Sequence, residues 1–523
     1  MNSRDIMSWQ KEINELNRRK ELARQMGGPE KIAQQHAKDR LTARERIHKC
    51  LDEGSFRELG ILAGKAEYDE RGDLKSFVPS SLIMGYGKMD DRNVCVLAND
   101  FTIKGGSSDE NAIYKQEYIM RMSQQRLMPL ICLYEGAGGS VSEGGESSPT
   151  PVNWGWATLT ELMAKVPIIA ANLGTSAGWI AVQVGFSHFN VMIKNSELFV
   201  AGPPLVKRAL DIDIDKHELG DHKVHVYESG VVDNVAEDEE DAFYQMKRFL
   251  SYLPQNVWNQ PPRVDTGDDP NRREEELLSI IPQEPTKTFD IRKLLRLVFD
   301  KETMFEYAPF YGRSVVTTLA RLDGYPVAVM SNDSRWLGGA QDVPGAEKML
   351  KFIDLADTFH IPIIYMMDVP GYMIGPDAEK TGTIRKACRA HAALHQATVP
   401  WASVLLRRCF GVAGAGHGQY NRLNLRYAWP SGRWGSLPIA GGAFAEFRRQ
   451  IEAAPDPEAK RIEIEERFKK RASPLRTAVE FGVMGLEDVI DPRDTRPLLC
   501  DFVKQAWEVT ATQLGPKYRG MRP

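Results

Sequence analysis

The sequence predicts an α/β fold that the chain builds twice. Two stretches, residues 166–178 (VPIIAANLGTSAG) and 399–411 (VPWASVLLRRCFG), each combine a short buried strand with a glycine turn. The flanking residues recur at one constant offset, as when Asn99 returns as Asn332 (332 − 99 = 233). Such a gap-free internal repeat indicates two copies of one structural unit. The other pairs at this offset are Gly105-Gly106 and Gly338-Gly339, Pro129 and Pro362, Glu135 and Asp368, Gly138 and Gly371, Pro167 and Pro400, and Gly178 and Gly411.

Chain length supports the same division. A chain of 523 residues exceeds what one hydrophobic core supports, so two large domains are expected. The stretch 254–288 is rich in Pro, Asp and Arg, which is typical of an interdomain segment. We therefore predict a first domain over 1–260, a linker over 261–290 and a second domain over 291–523.

Composition excludes several classes of protein. With 42% hydrophobic and 26% charged residues and a net charge of −4, the chain resembles an ordinary globular protein without a strong attraction to nucleic acid or anionic membranes. The six cysteines are scattered and form no C-x-x-C pair, as expected in a reducing cytoplasm. The charged N-terminus does not resemble a signal peptide, and no run of eighteen apolar residues predicts a membrane helix. We expect a cytoplasmic protein.

Taken in order, the chain begins with a helical region over residues 1 to about 50, where Thr42 and Glu45 form a predicted capping box. Each copy then has a hairpin, a glycine-rich loop, a helix, a buried strand, an acidic loop and a further helix before the strand 166–178 or its counterpart. The alternation of strand and helix predicts parallel strands. The predicted hairpin turns are residues 91–92 and 324–325, the helices 111–126 and 344–359, and the strands 129–134 and 362–367. Residues 455–470 are a strongly charged helix, best interpreted as a solvated face.

The two glycine turns are the candidates for chemistry. Gly178 and Trp179 would present consecutive N–H groups at a strand-to-helix turn, and Val412 and Ala413 would do the same in the second copy. Amides that converge on one point stabilise an oxyanion such as an enolate. One such turn alone would more simply indicate close packing of a helix on a sheet, but two at matching repeat positions favour a function.

Other residue patterns offer no obvious nucleophile or base. Glu135 and Asp368 follow buried strands and could act as bases, although bracing of their glycine-rich loops is the preferred interpretation. His217, His222 and His225 could form a metal site, but a surface loop is favoured. Walker A, G-x-G-x-x-G and G-x-S-x-G patterns are absent from the sequence. This combination suits a reaction whose proton acceptor arrives with a cofactor.

Several long motifs resemble those of the carboxyltransferase (β) subunits of biotin-dependent acyl-CoA carboxylases, the propionyl-CoA carboxylase type. They cover nearly the whole chain from about residue 30. In the first half they are DRLTARERIHKCLDEGSFRELG, FVAGPPLVK, ELG…H…SGVVD and DDPNRR, and in the second half DVPGYMIG, EKTGTIRKACRA, ATVPWASVLLRRCFG, YAWP and GGAFAEF.

The resemblance implies two tandem crotonase-like (ββα-superhelix) domains and a homo-hexamer with active sites at dimer interfaces. The first domain would bind acyl-CoA and the second carboxybiotin. Gly178 and Trp179 would hold the thioester enolate, Val412 and Ala413 the biotin ureido oxygen, and biotin N1′ would take the α-proton. The residues implied to bind CoA or biotin are Gly174, Ala177, Gly202, Pro203, Gly371, Gly382 and Gly411.

The resemblance also implies partners, because the sequence contains neither an A-M-K-M biotinylation motif nor an ATP-grasp signature. A biotin carboxylase and a biotin carboxyl carrier would supply both functions. No metal is expected in this family.

The sequence departs from the family pattern at four places. Trp179 replaces the second glycine of A-G-G, and Val412 replaces the second glycine of G-G-A. Ala415 stands where small-chain carboxylases have aspartate, which predicts a bulkier or more unusual acyl group. EGAGGSVSEGG replaces D-S-G-G-A-R, so the contacts of that arginine do not carry over. Two alternatives remain: a biotin-dependent decarboxylase or transcarboxylase subunit, and a non-catalytic scaffold subunit, which Trp179 and Val412 would motivate.

Overall fold

The structure is a computed structural model of the chain, and it describes residues 8–108, 110–138, 155–418, 421–518 and 520–521. The chain divides into two compact units, Met1–Lys247 and Arg248–Pro523. Residues 261–290, for which we predicted a linker, belong to the second unit.

The first unit begins with three helices and continues with two sheets and their connecting helices. Its helices are α1 (Gln10–Arg24), α2 (Pro29–His36), α3 (Ala43–Cys50), α4 (Glu110–Arg126), α5 (Trp156–Met163), α6 (Trp179–Gly185), α7 (Pro203–Leu210), α8 (Lys216–Gly220) and α9 (Glu239–Leu250), with a 3-10 helix Lys104–Gly106 and a π-helix Lys223–Glu228. Its strands are β1 (Arg57–Leu59), β2 (Gly64–Tyr68), β3 (Leu74–Pro79), β4 (Leu82–Met89), β5 (Arg92–Asn99), β6 (Leu130–Gly136), β7 (Ile168–Ala177), β8 (Phe189–Ile193), β9 (Glu197–Phe199) and β10 (Asn234–Ala236).

The second unit repeats the large sheet of the first. Its helices are α10 (Ile291–Val298), α11 (Val343–Thr358), α12 (Pro376–Lys380), α13 (Thr383–Gln396), α14 (Ile439–Glu452), α15 (Pro457–Arg471), α16 (Pro474–Phe481) and α17 (Thr495–Ala511), with 3-10 helices Glu275–Leu278, Leu337–Gly339, Val412–His417, Gly482–Met484 and Pro492–Asp494. Its strands are β11 (Phe305–Glu306), β12 (Val315–Leu322), β13 (Tyr325–Asn332), β14 (Ile363–Val369), β15 (Trp401–Phe410), β16 (Asn424–Ala428), β17 (Arg433–Gly435) and β18 (Asp488–Val489).

The two large sheets have the same strand order. In the first unit the order is β1-β4-β5-β6-β7-β8-β10, with β9 beside β7; in the second it is β11-β12-β13-β14-β15-β16-β18, with β17 beside β15. The first three strands of each sheet pair antiparallel and the rest parallel. The α/β fold and the internal repeat are therefore confirmed, as two mixed sheets.

Pairing registers repeat along with the strand order. Cys95 pairs with Leu130 in the first sheet, and Ala328 pairs with Ile363 in the second, which is the same register displaced by the offset of the sequence repeat. Every residue of β6 and of β14 is buried. Continuous burial is expected of parallel strands covered on both faces, and it explains why these segments are apolar runs without alternation.

Local predictions were confirmed in part. The capping box at Thr42 and Glu45 is present, with side-chain bonds in both directions. The hairpin turns lie one residue earlier than predicted, at residues 90–91 and 323–324, where all four residues have positive φ. That geometry matches the right-handed twist of the flanking strands. The small antiparallel sheet of β2 and β3 was not predicted.

Candidate active site

Each copy ends its central strand in a glycine with a left-handed backbone. Gly178 (φ 59°, ψ −127°) follows β7 and caps α6, and Gly411 (φ 62°, ψ −159°) follows β15 and caps the 3-10 helix Val412–His417. A side chain at such a φ would be strained, so glycine is the residue that allows the strand to turn directly into a helix. The first residues of each helix therefore present their N–H groups at the end of the strand.

The N–H groups of the two glycines are not available to a substrate. Gly178 donates to the carbonyl oxygens of Phe199 and Val200, each at 3.2 Å, and Gly411 donates to the carbonyl of Gly435 at 2.9 Å. These acceptors lie at the ends of β9 and β17, which pair with β7 and β15. The prediction that Gly178 is an oxyanion donor is therefore wrong, because its hydrogen is already bonded within the fold.

The residues that follow each glycine retain unengaged amides. Among the described residues, no carbonyl accepts a hydrogen bond from the N–H groups of Trp179 and Ile180 in the first copy. The same holds for Val412 and Ala413 at the equivalent positions of the second copy. Ile180 was not predicted, although the constant offset pairs it with Ala413 and so contained the signal.

The side chain of Trp179 is directed into the protein. Its indole nitrogen donates to Oε1 of Gln116 on α4 at 3.3 Å, and its ring lies 4.7 Å from that of Trp156 on α5. Trp156 also makes an edge contact with Phe186, at 5.2 Å. The substitution of glycine by tryptophan at this turn therefore adds an aromatic contact between helices while leaving the backbone N–H in place.

The second turn has a different surface. Val412 is 71% exposed, whereas Ala413 is buried. Ala415, the residue predicted to select the acyl group, lies on the same 3-10 helix and is partly buried. Nδ1 of His417 lies 2.9 Å from Oγ of Ser403, and burial lowers the pKa of His417 to about 3. The imidazole is therefore neutral near pH 7 and cannot serve there as an acid.

The two acidic positions beside the turns are held in ion pairs. Glu135 is fully buried and contacts Arg40 at 3.0 Å and Arg46 at 2.6 Å. Burial alone lowers the pKa of Arg46, but the carboxylates of Glu135 and Glu239 raise it above its ordinary value. Glu135 therefore acts as a structural anion, in agreement with the preferred interpretation of the sequence.

Asp368, at the equivalent position, has the same kind of environment. Its carboxylate is fully buried and accepts hydrogen bonds from Arg407 (2.7 Å) and Arg408 (2.7 Å). These arginines come from β15, whereas those of Glu135 come from the N-terminal helical region, so the two copies reach the same arrangement from different parts of the sequence. Both carboxylates are therefore bonded to arginines within the fold.

The remaining predicted binding residues differ in their surroundings. Gly174 lies against Glu135, because a Cβ there would be 2.2 Å from its Oε1. Ala177 ends β7, and its carbonyl lies under Gly138. Gly202 and Pro203 begin the exposed helix α7, just beyond the β9 end that binds Gly178.

In the second copy, Gly371 follows β14 with φ 140°, and its carbonyl accepts a hydrogen bond from the N–H of Gln341 at 3.0 Å. Gly382 caps α13 with φ 81°. Most of the acidic loop EGAGGSVSEGG, residues 139–145, lies outside the described residues.

Cysteine and histidine supply no alternative centre. Burial raises the pKa of Cys409, two residues before Gly411, to about 12, so its thiol is not a nucleophile near neutral pH. His225 contacts the carbonyl of Leu198, and His217 contacts Glu197. Over the described ranges, no group of three His, Cys, Asp or Glu side chains is arranged to hold a metal ion. In that same part of the chain, every helix is too short or too polar to cross a bilayer.

Comparisons with known proteins bear on the family of the chain. The carboxyl transferase domain model matches residues 34–521. The propionyl-CoA carboxylase carboxyltransferase subunit of Haloferax mediterranei is 34% identical over 94% of this chain and 95% of its own length. The methylmalonyl-CoA decarboxylase subunit alpha of Veillonella parvula is 30% identical over 93% and 94%.

Among solved structures, a transcarboxylase 12S crystal structure with methylmalonyl-coenzyme A bound, described as a hexamer assembly, matches with a TM-score of 0.86 at 29% identity, over 100% of this chain and 98% of its own. A single-chain, multi-domain long-chain acyl-CoA carboxylase matches with a TM-score of 0.79 at 25% identity, over 96% of this chain and 49% of its own. This chain therefore belongs to the carboxyl transferase domain family, which confirms its resemblance to the carboxyltransferase subunits of biotin-dependent acyl-CoA carboxylases.

Proposed function

We propose that this carboxyltransferase subunit of the biotin-dependent acyl-CoA carboxylase type uses its two turns as paired oxyanion sites. In the first copy the N–H groups of Trp179 and Ile180 would bind the thioester oxygen as the enolate forms. In the second copy those of Val412 and Ala413 would bind the ureido oxygen of biotin. The observation that carries the proposal is the presence, at repeat-related turns, of amides without an acceptor in the described structure.

The surrounding residues fit biotin chemistry. Glu135 and Asp368 are each paired with two arginines, so the carboxylates at these two repeat-related positions offer no free base. Carboxylated biotin, when a partner delivers it, supplies both the carboxyl group and the proton acceptor. The role of this chain is then to orient the thioester and to stabilise the negative charge that develops on its oxygen.

Proline substitution tests the amides directly. Proline is tolerated at the first residue of a helix, where its missing N–H breaks no helical bond. Trp179 and Val412 both occupy that position. We expect Trp179→Pro and Val412→Pro to lower kcat about 10²–10³-fold relative to Trp179→Ala and Val412→Ala, which retain the N–H. Equal rates in the proline and alanine variants would contradict the assignment.

The partners proposed are a biotin carboxylase and a biotin carboxyl carrier. The sequence has neither a biotinylation motif nor an ATP-grasp signature, so both activities must be supplied from outside this chain. Purification of the native complex and detection of protein-bound biotin tests this directly. Recovery of the active protein without any biotinylated chain would contradict it.

The acyl group and the direction of the reaction are further parts of the proposal. Ala415 leaves space where an aspartate is usual in the small-chain enzymes that this chain resembles, so we expect an acyl group bulkier or more unusual than that of acetyl- or propionyl-CoA. Bicarbonate-dependent carboxylation of an acyl-CoA panel measures this, and a clear preference for acetyl-CoA would refute it. A gene neighbour encoding a biotin carboxylase supports carboxylation, whereas one encoding a membrane sodium pump supports decarboxylation, the activity named for the Veillonella relative.

A further inference from the structure

Gln183 is a buried side chain whose polar atoms have no hydrogen-bond partner among the residues that the structure describes. It lies on α6 and is 3% exposed, and neither Oε1 nor Nε2 makes a hydrogen bond within the described structure. Nearly all buried polar atoms in native proteins are hydrogen-bonded, because desolvation without a partner costs free energy. A carboxamide whose two ends are unpaired among the described residues therefore has both ends available to a group that those residues do not supply.

The position of Gln183 relates it to the first turn. Trp179 and Gln183 are four residues apart, so they lie on the same face of α6, and Phe186 is the residue that ends this helix. Trp179 and Phe186 both contact Trp156, at 4.7 and 5.2 Å between ring centroids, so aromatic contacts flank Gln183 in the sequence. A helical side chain leans toward the N-terminus of its helix, which directs Gln183 back toward Trp179.

The second copy has no equivalent of this arrangement. The constant offset aligns Gln183 with Gly416 and Trp179 with Val412, so that copy has neither the carboxamide nor the aromatic ring. A Cβ at Gly416 would be 2.6 Å from the ring of Tyr365, which leaves no room for a longer side chain. The combination of a carboxamide at position 183 and an aromatic ring at position 179 therefore has no counterpart at the equivalent positions of the second copy.

We propose that Gln183 is a specificity-determining residue that hydrogen-bonds a polar substituent on the acyl chain of the CoA thioester. A carboxamide offers donors and an acceptor without a charge, which suits a hydroxyl group. Four residues of helix separate it from Trp179, a rise of about 6 Å, so the substituent lies about four to six carbons along the chain. The rings of Trp179 and Trp156 cover the apolar part of the chain. This inference rests on the proposed function, because it places the thioester oxygen at Trp179.

The experiment compares matched substrates in the native complex. The wild-type complex is assayed for bicarbonate-dependent carboxylation of hexanoyl-CoA and of 4-, 5- and 6-hydroxyhexanoyl-CoA. The variants are Gln183→Leu, which removes the hydrogen-bonding atoms at similar size, and Gln183→Asn, which retains a shorter amide. Gln125→Leu, on the exposed side of α4, is the control for the same chemical change at a surface.

We expect the wild-type complex to have a higher kcat/KM for at least one hydroxylated substrate than for hexanoyl-CoA. In Gln183→Leu the ratio of the two values should fall about ten- to hundredfold, because the buried hydroxyl then loses its partner. The ratio for Gln183→Asn should lie between those of the wild type and Gln183→Leu. The ratio for Gln125→Leu should equal that of the wild type. A purely structural glutamine would change both substrates together and leave the ratio constant.

Two results would overturn the assignment: a wild-type preference for hexanoyl-CoA over all three alcohols, or an unchanged ratio in Gln183→Leu. If the leucine variant does not fold, the wild-type ratio and the asparagine variant still decide the question. If the wild-type complex carboxylates none of these four thioesters but does carboxylate another acyl-CoA of the panel, the role of Gln183 is contradicted; carboxylation of no acyl-CoA at all would contradict the proposed function itself. Carboxylation with a constant ratio would contradict only the role of Gln183.

Discussion

At the scale of single residues, the buried charges stabilise the loops that carry the site. Glu135 and Asp368 are each neutralised by two arginines and fully removed from water. An ion pair of this kind contributes little net stability compared with apolar packing, but removal of one partner leaves an uncompensated charge in the interior. We therefore expect these residues to be sensitive to substitution through stability.

We expect Glu135→Gln to destabilise the protein by about 3–5 kcal/mol, because Arg40 and Arg46 would lose their shared anion. Urea denaturation followed by circular dichroism measures the change. Glu240→Gln is the matched control, since the Glu240 side chain is 73% exposed and pairs with the surface residue Lys49, so its transition should coincide with that of the wild type. A stable Glu135→Gln protein that has lost turnover would instead indicate a catalytic base.

A buried histidine predicts a pH dependence of stability. Burial, together with the nearby charge of Lys517, lowers the pKa of His360 to about 4, and its Nε2–H donates to the carbonyl of Val257 at 2.7 Å. The unfolded chain, with a pKa near 6.5, takes up the proton first, so the stabilisation is present above about pH 6.5 and is lost as the pH falls toward 4.

From pH 7 to pH 5, the free energy of unfolding should fall by about 2 kcal/mol because of His360. His360→Asn does not titrate, and asparagine tolerates the left-handed φ of 60° at this position. Denaturation at the two pH values should therefore show that the free energy of unfolding falls by about 2 kcal/mol less in this variant than in the wild type. Equal losses in both proteins would mean that His360 is already protonated in the native state at pH 5.

At the scale of elements, the glycines act through two different physical requirements. Gly178 and Gly411 are needed for their positive φ, and an added Cβ would meet nothing closer than 3.9 and 3.5 Å. Gly174 has an ordinary φ but lies directly under the carboxylate of Glu135. Its role is to let β7 approach the buried ion pairs. We therefore expect Gly174 to influence ligand binding, the role predicted for it, through the position of the strand.

We expect Gly174→Ala to destabilise the protein by about 1–3 kcal/mol, because the new methyl group overlaps a side chain that two arginines hold in place. Gly185→Ala, at the end of α6, is the control: its Cβ would face open space at an unstrained φ, so a gain of about 0.5–1 kcal/mol is expected. Thermal denaturation of both variants checks the difference. Equal midpoints would show that Glu135 can move away.

At the scale of the whole molecule, two sheets of identical strand order provide two similar turns with different surroundings. The surface includes many exposed apolar side chains, among them Val200 (82%), Ile374 (82%) and Val479 (87%). The transcarboxylase 12S structure is described as a hexamer assembly.

We therefore expect six copies of the 58.8 kDa chain to associate into a particle of about 350 kDa. Light scattering coupled to size-exclusion chromatography measures this mass, and it should stay constant over a hundredfold dilution in physiological salt. A particle of one or two chains at micromolar concentration would rule out a hexamer.

The sequence alone was sufficient to predict those features of the fold that depend on neighbouring residues. The offset between Asn99 and Asn332, the apolar strands and the glycine turns predicted the repeated α/β fold, because periodic patterns and positive φ are readable from neighbouring residues. The motifs also identified the family. The small sheet of β2 and β3 was not predicted, because both strands are largely exposed and lack an apolar pattern.

Only the tertiary structure decided which atoms remain free to act. The N–H of Gly178 is taken by carbonyls at the end of β9, and the carboxylate of Glu135 by arginines about a hundred residues earlier in the chain. The unpaired amide of Gln183 likewise became visible only when its surroundings were assembled. A hydrogen bond or ion pair across the fold depends on which distant groups come within about 3 Å, and the local sequence pattern does not contain that distance.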